Sequence, residues 1–558
     1  MLLTSVLILS AATGAATGAA PAVHGSVLTP AERSAAREIR GAGLRADIRF
    51  LAHDLLEGRG PGTRGDRLAQ AFIASRMEAI GLEPGAPDGT WLQPFALVSI
   101  TTHAPAVLRA QRGGDGVDFR LLEDYTAESG VQTKEARIAE AEIVFVGYGI
   151  VAPEYQWDDY KGADLKGKVL LMMNNDPESD PKLFAGNTRL YYGRWDYKYE
   201  MAAKVGAAGA IIIHTTHSAG YPWQVVQTSF SGTRFALPAS GQPEVQVTAW
   251  LTEDASRRLA KLGGHDLDAL RAAAEKRDFR PVPLGVTLNL TLKNDVLKTE
   301  TANVIGRLRG RDPVLAKEAV LYTSHHDHLG TKADPKPAED AIYNGALDNA
   351  SGVAGLLAIA EAVKALPQAT RRTVYFAAVG AEEQGLLGSE HLAAHPPLPA
   401  GRIAANINMD GLNIWGRTRD LTMIGLGKSS LDTTIRSLAA LQGRNVVPDQ
   451  FPDRGYFYRS DQLSLARIGV PAAYFEAGTD AIGKPAGWGK ERHEEYEEKD
   501  YHQPSDQIRP TWDFAGAIED LQLFFHLGAR VADAPTMPTW TPGDEFEAAR
   551  KKALVAVQ

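Results

Sequence analysis

Five residues of metal-ligating type occur along the chain in the order His, Asp, Glu, Asp, His, each in a distinctive setting. They are His325 in LYTSHHDHLG, Asp348 in NGALDNASG, Glu383 in VGAEEQGLLG, Asp410 in NINMDGLN and His502 in DYHQPSDQ. The sequence has no cysteine, so thiolate ligands and disulfides are excluded. Imidazole and carboxylate donors suit zinc or a similar divalent ion. Two histidines and three carboxylates exceed one tetrahedral zinc, but they suffice for two if one carboxylate bridges. Two carboxylates ~4 Å apart repel by roughly 4 kcal/mol at an effective dielectric near 20. A converging cluster of these acids therefore calls for cations, and a cation pair beside an acid points to hydrolysis.

Neighbouring residues add roles. Glu382 and Glu383 are adjacent, so their side chains diverge. Glu383 is expected to ligate and Glu382 to act as general base on a water. Asp327 is two residues past His325. At a strand end, residues i and i+2 share a face, so Asp327 is expected to accept the other imidazole N–H of His325 and fix its tautomer. His326 and His328 are expected to be hydrogen-bonded or packing histidines rather than ligands.

These side chains must be held by strands and helices, and the sequence alternates between the two. EAVLYTSHH, RRTVYFAAVG and RIAANINMD read as strands; SGVAGLLAIAEAVKAL and EEQGLLGSEHLAAH read as helices stopped by Pro367 and Pro396. Such alternation predicts an α/β fold, a mixed central sheet with helices on both faces. Ligands then sit beyond the carboxyl ends of the strands, where His325, Glu382, Glu383 and Asp410 fall. Asp348 precedes a helix, whose positive end favours a carboxylate. His502 comes from a late loop.

Upstream, TPAERSAAREIR opens with Thr29 and carries Glu32 three residues later, a capping box. LAQAFIASRMEAIGL reads as a helix ending at Gly81. The glycine-rich EGRGPGTRGD between them is expected to be a plain turn. From 136 to 290, strands such as AEIVFVGYGIV and VTLNLTLKND alternate with a helix and aromatic loops without a ligand cluster. This stretch is expected to be an inserted domain. The expected organisation is 1–22 leader, 27–135 first part of the main domain, 136–290 insert, 295–535 catalytic part and 536–558 tail.

The formal net charge is -9, and no basic run suggests nucleic acid. Residues 1–22 are apolar and then alanine-rich, as in a secretory signal peptide, which implies a secreted or periplasmic protein. No later segment approaches the ~20 apolar residues of a membrane span.

The motifs SHHDHLG, GALDNASG, GAEEQGLLGS, NINMDG and YHQPSD, in this order, resemble the secreted co-catalytic dizinc aminopeptidases. That superfamily includes glutamate carboxypeptidase II, the transferrin receptor and the glutaminyl cyclases. RSDQLSLARIGVP and LLEGRGPGTRGD add to the likeness. The insert, with FVGYGIVAPEYQWDDYKGADLKGKV and AAKVGAAGAIII, resembles a protease-associated (PA) domain, mainly β or α+β. The resemblance implies the zinc exopeptidase fold and two zinc ions, with cobalt or manganese as substitutes. Asp348 would bridge them; His325 and Asp410 would complete one site, Glu383 and His502 the other. Glu382 would move the proton, and Tyr501 would hydrogen-bond the tetrahedral oxyanion. Asp461 is expected near the site or in a turn; Gln462 is assigned nothing.

The function implied is removal of N-terminal residues from peptides. Three alternatives stand beside it. A carboxypeptidase like glutamate carboxypeptidase would need a cation for the substrate carboxylate, for which Arg454 and Arg459 are candidates. A glutaminyl cyclase-like transferase would use one zinc. An inactive binding relative would have lost part of the constellation that this chain retains.

Overall fold

The computed structural model describes residues 27–332 and 335–557. The expected signal peptide, 1–22, lies outside the described residues.

Parallel strands Ala319–His325, Thr373–Val379 and Ile403–Asn408 lie side by side, with Ala319–His325 in the middle and Ala472–Glu476 beyond Ile403–Asn408. Thr373–Val379 pairs antiparallel with the end of the long strand Val282–Leu308. Asp420–Ile424 adds antiparallel to Ala472–Glu476 at the other side. The sheet is therefore mixed, as its sequence pattern implies.

All seven side chains of Ala319–His325 are buried, and alternation divides them between two cores. Val320 and Tyr322 pack with helices Gly41–Leu51, Arg64–Ile80, Gly352–Lys364 and Ala515–Asp533. Leu321 faces the opposite way, against Leu392 and Leu465 on helices Leu387–Ala394 and Gln462–Arg467. Burial on both faces explains why these strands read as continuous apolar runs. The run Ala346–Lys364 has the length and hydropathy of a membrane span, yet 94% of it is buried inside the protein. Its helical part, Gly352–Lys364, is buried in the core, so a span-like segment occurs where none is expected from the sequence.

A second large core joins strands Glu135–Phe145, Val169–Met173, Gly209–His214 and Val247–Thr252 to helices Glu253–Leu262 and Leu267–Ala274. Leu108, Phe119 and Tyr125 belong to this core too, so its packing begins ahead of residue 136. The strands supplying Leu108 and Phe119, Val107–Arg112 and Asp115–Arg120, are short and polar on one face, which masked them; Tyr125 opens the buried strand Tyr125–Ser129. The 27-residue strand Val282–Leu308 is common to both regions. Its first half pairs with Glu135–Phe145 and its second half with Leu92–His103 and Thr373–Val379.

At the N-terminus, Thr29 and Glu32 form the expected reciprocal cap. Helix Arg64–Ile80 starts at the Thr63 cap and ends on Gly81 in the left-handed region. The glycine-rich segment before it is more than a turn. Gly58, at φ +65°, passes so close to the chain that a Cβ would lie 2.2 Å from the Gly330 carbonyl oxygen. That approach delivers the next residue, Arg59, into the interior beneath the candidate site.

Candidate active site

The carboxyl ends of the three parallel strands lie at one edge of the sheet: His325 pairs with Val379, and Asn408 ends opposite Thr323, two residues back. His325 closes its strand, Glu382 and Glu383 follow Val379 by a tight bend, and Asp410 follows Asn408 by two residues. Asp348 lies in the irregular turn Ala346–Ser351, where its own φ and ψ are non-helical, just ahead of helix Gly352–Lys364. His502, at φ 57°, lies just beyond helix Trp488–Lys499.

These residues converge. His325 Nε2 lies 3.1 Å from Asp410 Oδ1, 3.3 Å from Asp348 Oδ1 and 3.9 Å from Glu382 Oε2. His502 Nε2 lies 3.3 Å from Asp348 Oδ2 and 3.0 Å from Glu383 Oε2. One oxygen of Asp348 thus faces each histidine. The donor atoms of His325, Asp348 and Asp410 all lie within 4.8 Å of one another. His502 Nε2 is buried and, despite its two carboxylate neighbours, makes no aligned hydrogen bond. An imidazole nitrogen aimed between carboxylates rather than at one of them fits a shared cation. The donor set is oxygen and nitrogen throughout, which suits zinc.

In the metal-free protein, protons take the cations' place. Burial and the Asp348 charge oppose ionisation of Glu383, but His502 and His328 overcome both and hold it at about 2. Burial works against a charge on His502, yet Glu383 and Asp348 raise it to about 10. Glu382 behaves oppositely: burial first, then the Asp410 and Glu383 charges, push its carboxyl well above the usual range. A carboxyl that holds a proton this readily is suited to proton transfer.

Asp327 does not play the part expected from spacing. Its Oδ1 is 3.8 Å from His325 Nδ1, which instead approaches the Asp327 backbone carbonyl at 3.4 Å. The carboxylate accepts the backbone N–H groups of Glu382 (3.0 Å) and Glu383 (3.3 Å). It fixes the turn that carries both glutamates, because the bend after Val379 leaves those N–H groups aimed at it.

His326 Nε2 lies 3.1 Å from Asp66. His328 Nδ1 bonds Glu383 Oε1, with its Nε2 buried and unpartnered among the described residues. Tyr501 stacks on the His502 ring, centroids 3.9 Å apart, and lines the cleft with His325, Asp348, Glu382 and Asp410. The cleft encloses about 790 Å³, counting its open mouth. Arg459 also lines it, whereas Arg454 is held by Glu497.

Several supporting residues have no role assigned from sequence, apart from Asp461, expected near the site or in a turn. Arg59 is fully buried, and its guanidinium donates to the carbonyls of His326 (2.8 Å), Leu51 (2.6 Å), Asn344 (2.7 Å) and Gly345 (2.9 Å). Burial lowers it to about 10, and the charges of Asp327 and Asp348 limit the fall. Asp506 accepts the backbone N–H groups of Leu347 and Asp348 at 3.0 Å. Asn349 ties Ser324, Met409, Gly352 and Gly411 together. Gln462 accepts from Asn408 at 2.8 Å. Asp461 is fully buried, and burial raises it to about 7. Asp506 and Asp461 sit inside motifs already noted; the buried Arg in a glycine-rich loop had no local signal.

Residues 303–525 match the model of peptidase family M28. That stretch is similar to the M28 peptidases. The match supports a metallopeptidase, and the matched span contains His325, Asp348, Glu383, Asp410 and His502. The chain is also similar to aminopeptidase YwaD of Bacillus subtilis (strain 168). The two are 25% identical over 506 residues, covering 87% of this chain and 86% of that one. Among solved structures, an aminopeptidase from Aneurinibacillus sp. strain AM-1 covers 92% of this chain and 98% of its own, at 21% identity and a TM-score of 0.49. The zinc aminopeptidase BSAP from Bacillus subtilis covers 91% and 97%, at 19% identity and a TM-score of 0.42.

Proposed function

We propose that this protein is an exported aminopeptidase working with two zinc ions, which cobalt or manganese could replace. The observation that carries the reading is the split of Asp348, Oδ1 toward His325 and Oδ2 toward His502, with Asp410 beside the first histidine and Glu383 beside the second. On this reading Asp348 would hold both ions, with His325 and Asp410 completing one site and Glu383 and His502 the other. Similarity to YwaD supports the aminopeptidase class, and the apolar leader supports export.

Zinc, when bound, would acidify a water and polarise the scissile carbonyl. The chain's own groups do the rest. Glu382 accepts a proton as the water oxygen bonds to the carbonyl carbon. It then gives that proton to the peptide nitrogen as the C–N bond breaks. Tyr501 donates a hydrogen bond to the oxygen that gains charge; its phenol stays protonated, since burial raises its pKa well above the ordinary value. The site carboxylates hold the substrate's free amine. The PA-like insert limits the length or order of peptides that enter.

A second reading has one observation behind it. Arg459 lines the cleft without an ion pair among the described residues, as a clamp for a substrate carboxylate would. Digestion of a peptide library, read by mass with metal content measured in parallel, separates the two. Trimming from the N-terminus supports the aminopeptidase; trimming of C-terminal glutamyl residues supports the carboxypeptidase. Full activity with one zinc per chain would favour the cyclase class, and zinc binding without turnover a binding relative.

A further inference from the structure

A side pocket opens from the cleft. It shares Trp415, Tyr456, Glu476 and His493 with the cleft and continues past Ile424, Phe451 and Asp449. Four of these walls are apolar or aromatic: Trp415, Ile424, Phe451 and Tyr456. Asp449 and Glu476 are the acids among the lining residues; burial raises both, Glu476 to about 8, while burial first and Arg454 second lower His493 to about 4.

Neither carboxylate has an ion pair among the described residues, and each has only one oxygen engaged. Asp449 Oδ1 accepts the Phe451 N–H at 2.7 Å, and Glu476 Oε1 accepts the Tyr474 hydroxyl at 3.0 Å. Of the nearby cations, Arg459 lines the adjoining cleft and acts on Glu476, and none is ion-paired to either acid among the described residues. Arg454 is paired with Glu497, and Arg454 and Lys490 stand over the Phe451 ring, 4.2 and 5.1 Å from its centroid.

Two carboxyls facing one semi-enclosed space oppose each other's ionisation, and a cation between them favours their charged forms. The flanking rings suit an alkyl stem that ends in a charge, and they attract the charge itself. We infer that this pocket receives the side chain of the substrate's N-terminal residue and selects a cationic one, lysine or arginine, through Asp449 and Glu476. The inference rests on the aminopeptidase reading, and it adds a substrate class to that reading.

The test compares arginyl, lysyl and norleucyl anilides with the zinc-loaded full chain, its Asp449→Asn variant and its Glu476→Gln variant. Norleucine keeps the stem and removes the charge. In the unaltered enzyme kcat/KM for the arginyl and lysyl substrates should exceed that for norleucyl by tenfold or more. Each substitution should lower that ratio several-fold. A ratio near one in the unaltered enzyme, or equal losses on charged and uncharged substrates in both variants, overturns the inference. Calorimetry of free arginine and free norleucine on the same three proteins stands apart from turnover. If no anilide is cleaved, the aminopeptidase reading fails, and the pocket is judged by binding. Tighter arginine binding that Asp449→Asn abolishes supports it; equal binding overturns it.

Discussion

Glu382 and Glu383 are chemically identical neighbours with opposite environments. Glu383 lies between His328 and His502, which stabilise its charge. Glu382 lies among carboxylates, Asp410 and Glu383, which oppose a charge on it. The first environment makes a ligand and the second a proton carrier. Glu382→Gln should retain metal and lower kcat by about 10²- to 10⁴-fold; unchanged turnover in steady-state assays would remove Glu382 from the mechanism. The ligand-type residues could be found from the sequence because each falls at a strand end or helix start. Asp327 shows the limit of that reasoning. Spacing placed it near His325, but it could not reveal that two nearer N–H groups would engage its carboxylate.

At the scale of elements, the site depends on the segment that looked least chemical. Arg59 enters on a glycine-permitted bend and binds carbonyls at 326, 344 and 345, so it ties together the loops bearing His325 and Asp348. Arg59→Met would leave several buried carbonyls without a donor, at ~1–3 kcal/mol each. Denaturant titration should show a loss of about 3 kcal/mol or more; a loss under about 1 kcal/mol would mean that the loops hold themselves. The sequence could not show this, because the guanidinium's partners are backbone atoms about 270 residues away, which leave no side-chain pattern. A second elemental link joins residues 189–200 to the segments lining the cleft. Arg189 N–H donates to Pro452 carbonyl at 2.9 Å, and Arg467 pairs with Glu200 at 3.1 Å beneath Tyr191. Those contacts brace the 451–459 loop, which supplies Phe451, Tyr456 and Arg459. Arg467→Ala should change the ranking of long against short peptides more than anilide turnover. An unchanged length profile would make the insert a packing module.

For the whole molecule, the alternation of strands and helices was enough to give a mixed sheet covered on both faces. The start of the second core was less visible, since short hairpin strands with polar faces do not stand out from loops. Strand Val282–Leu308 threads both regions, so neither is a simple cut-and-paste unit. The charge balance of the site also acts at this scale. Without zinc, His325 and His502 carry protons that offset the acids. For His502 the folded value is raised to about 10, so its contribution to metal-free stability is complete below the ordinary histidine range. It is lost as the pH rises toward 10. Zinc uptake at pH 7 should release protons, seen as buffer-dependent heats. Free zinc at a hundred times Kd should add ~2.7 kcal/mol of stability, and chelation should lower Tm accordingly.

The central claim is that one aspartate serves two cations. Anomalous diffraction at the zinc edge from a zinc-loaded crystal tests it directly. Two peaks are expected, one beside His325 and Asp410 and one beside Glu383 and His502, each with its own oxygen of Asp348. A single peak at saturating zinc, or a second peak away from Asp348, would contradict the account.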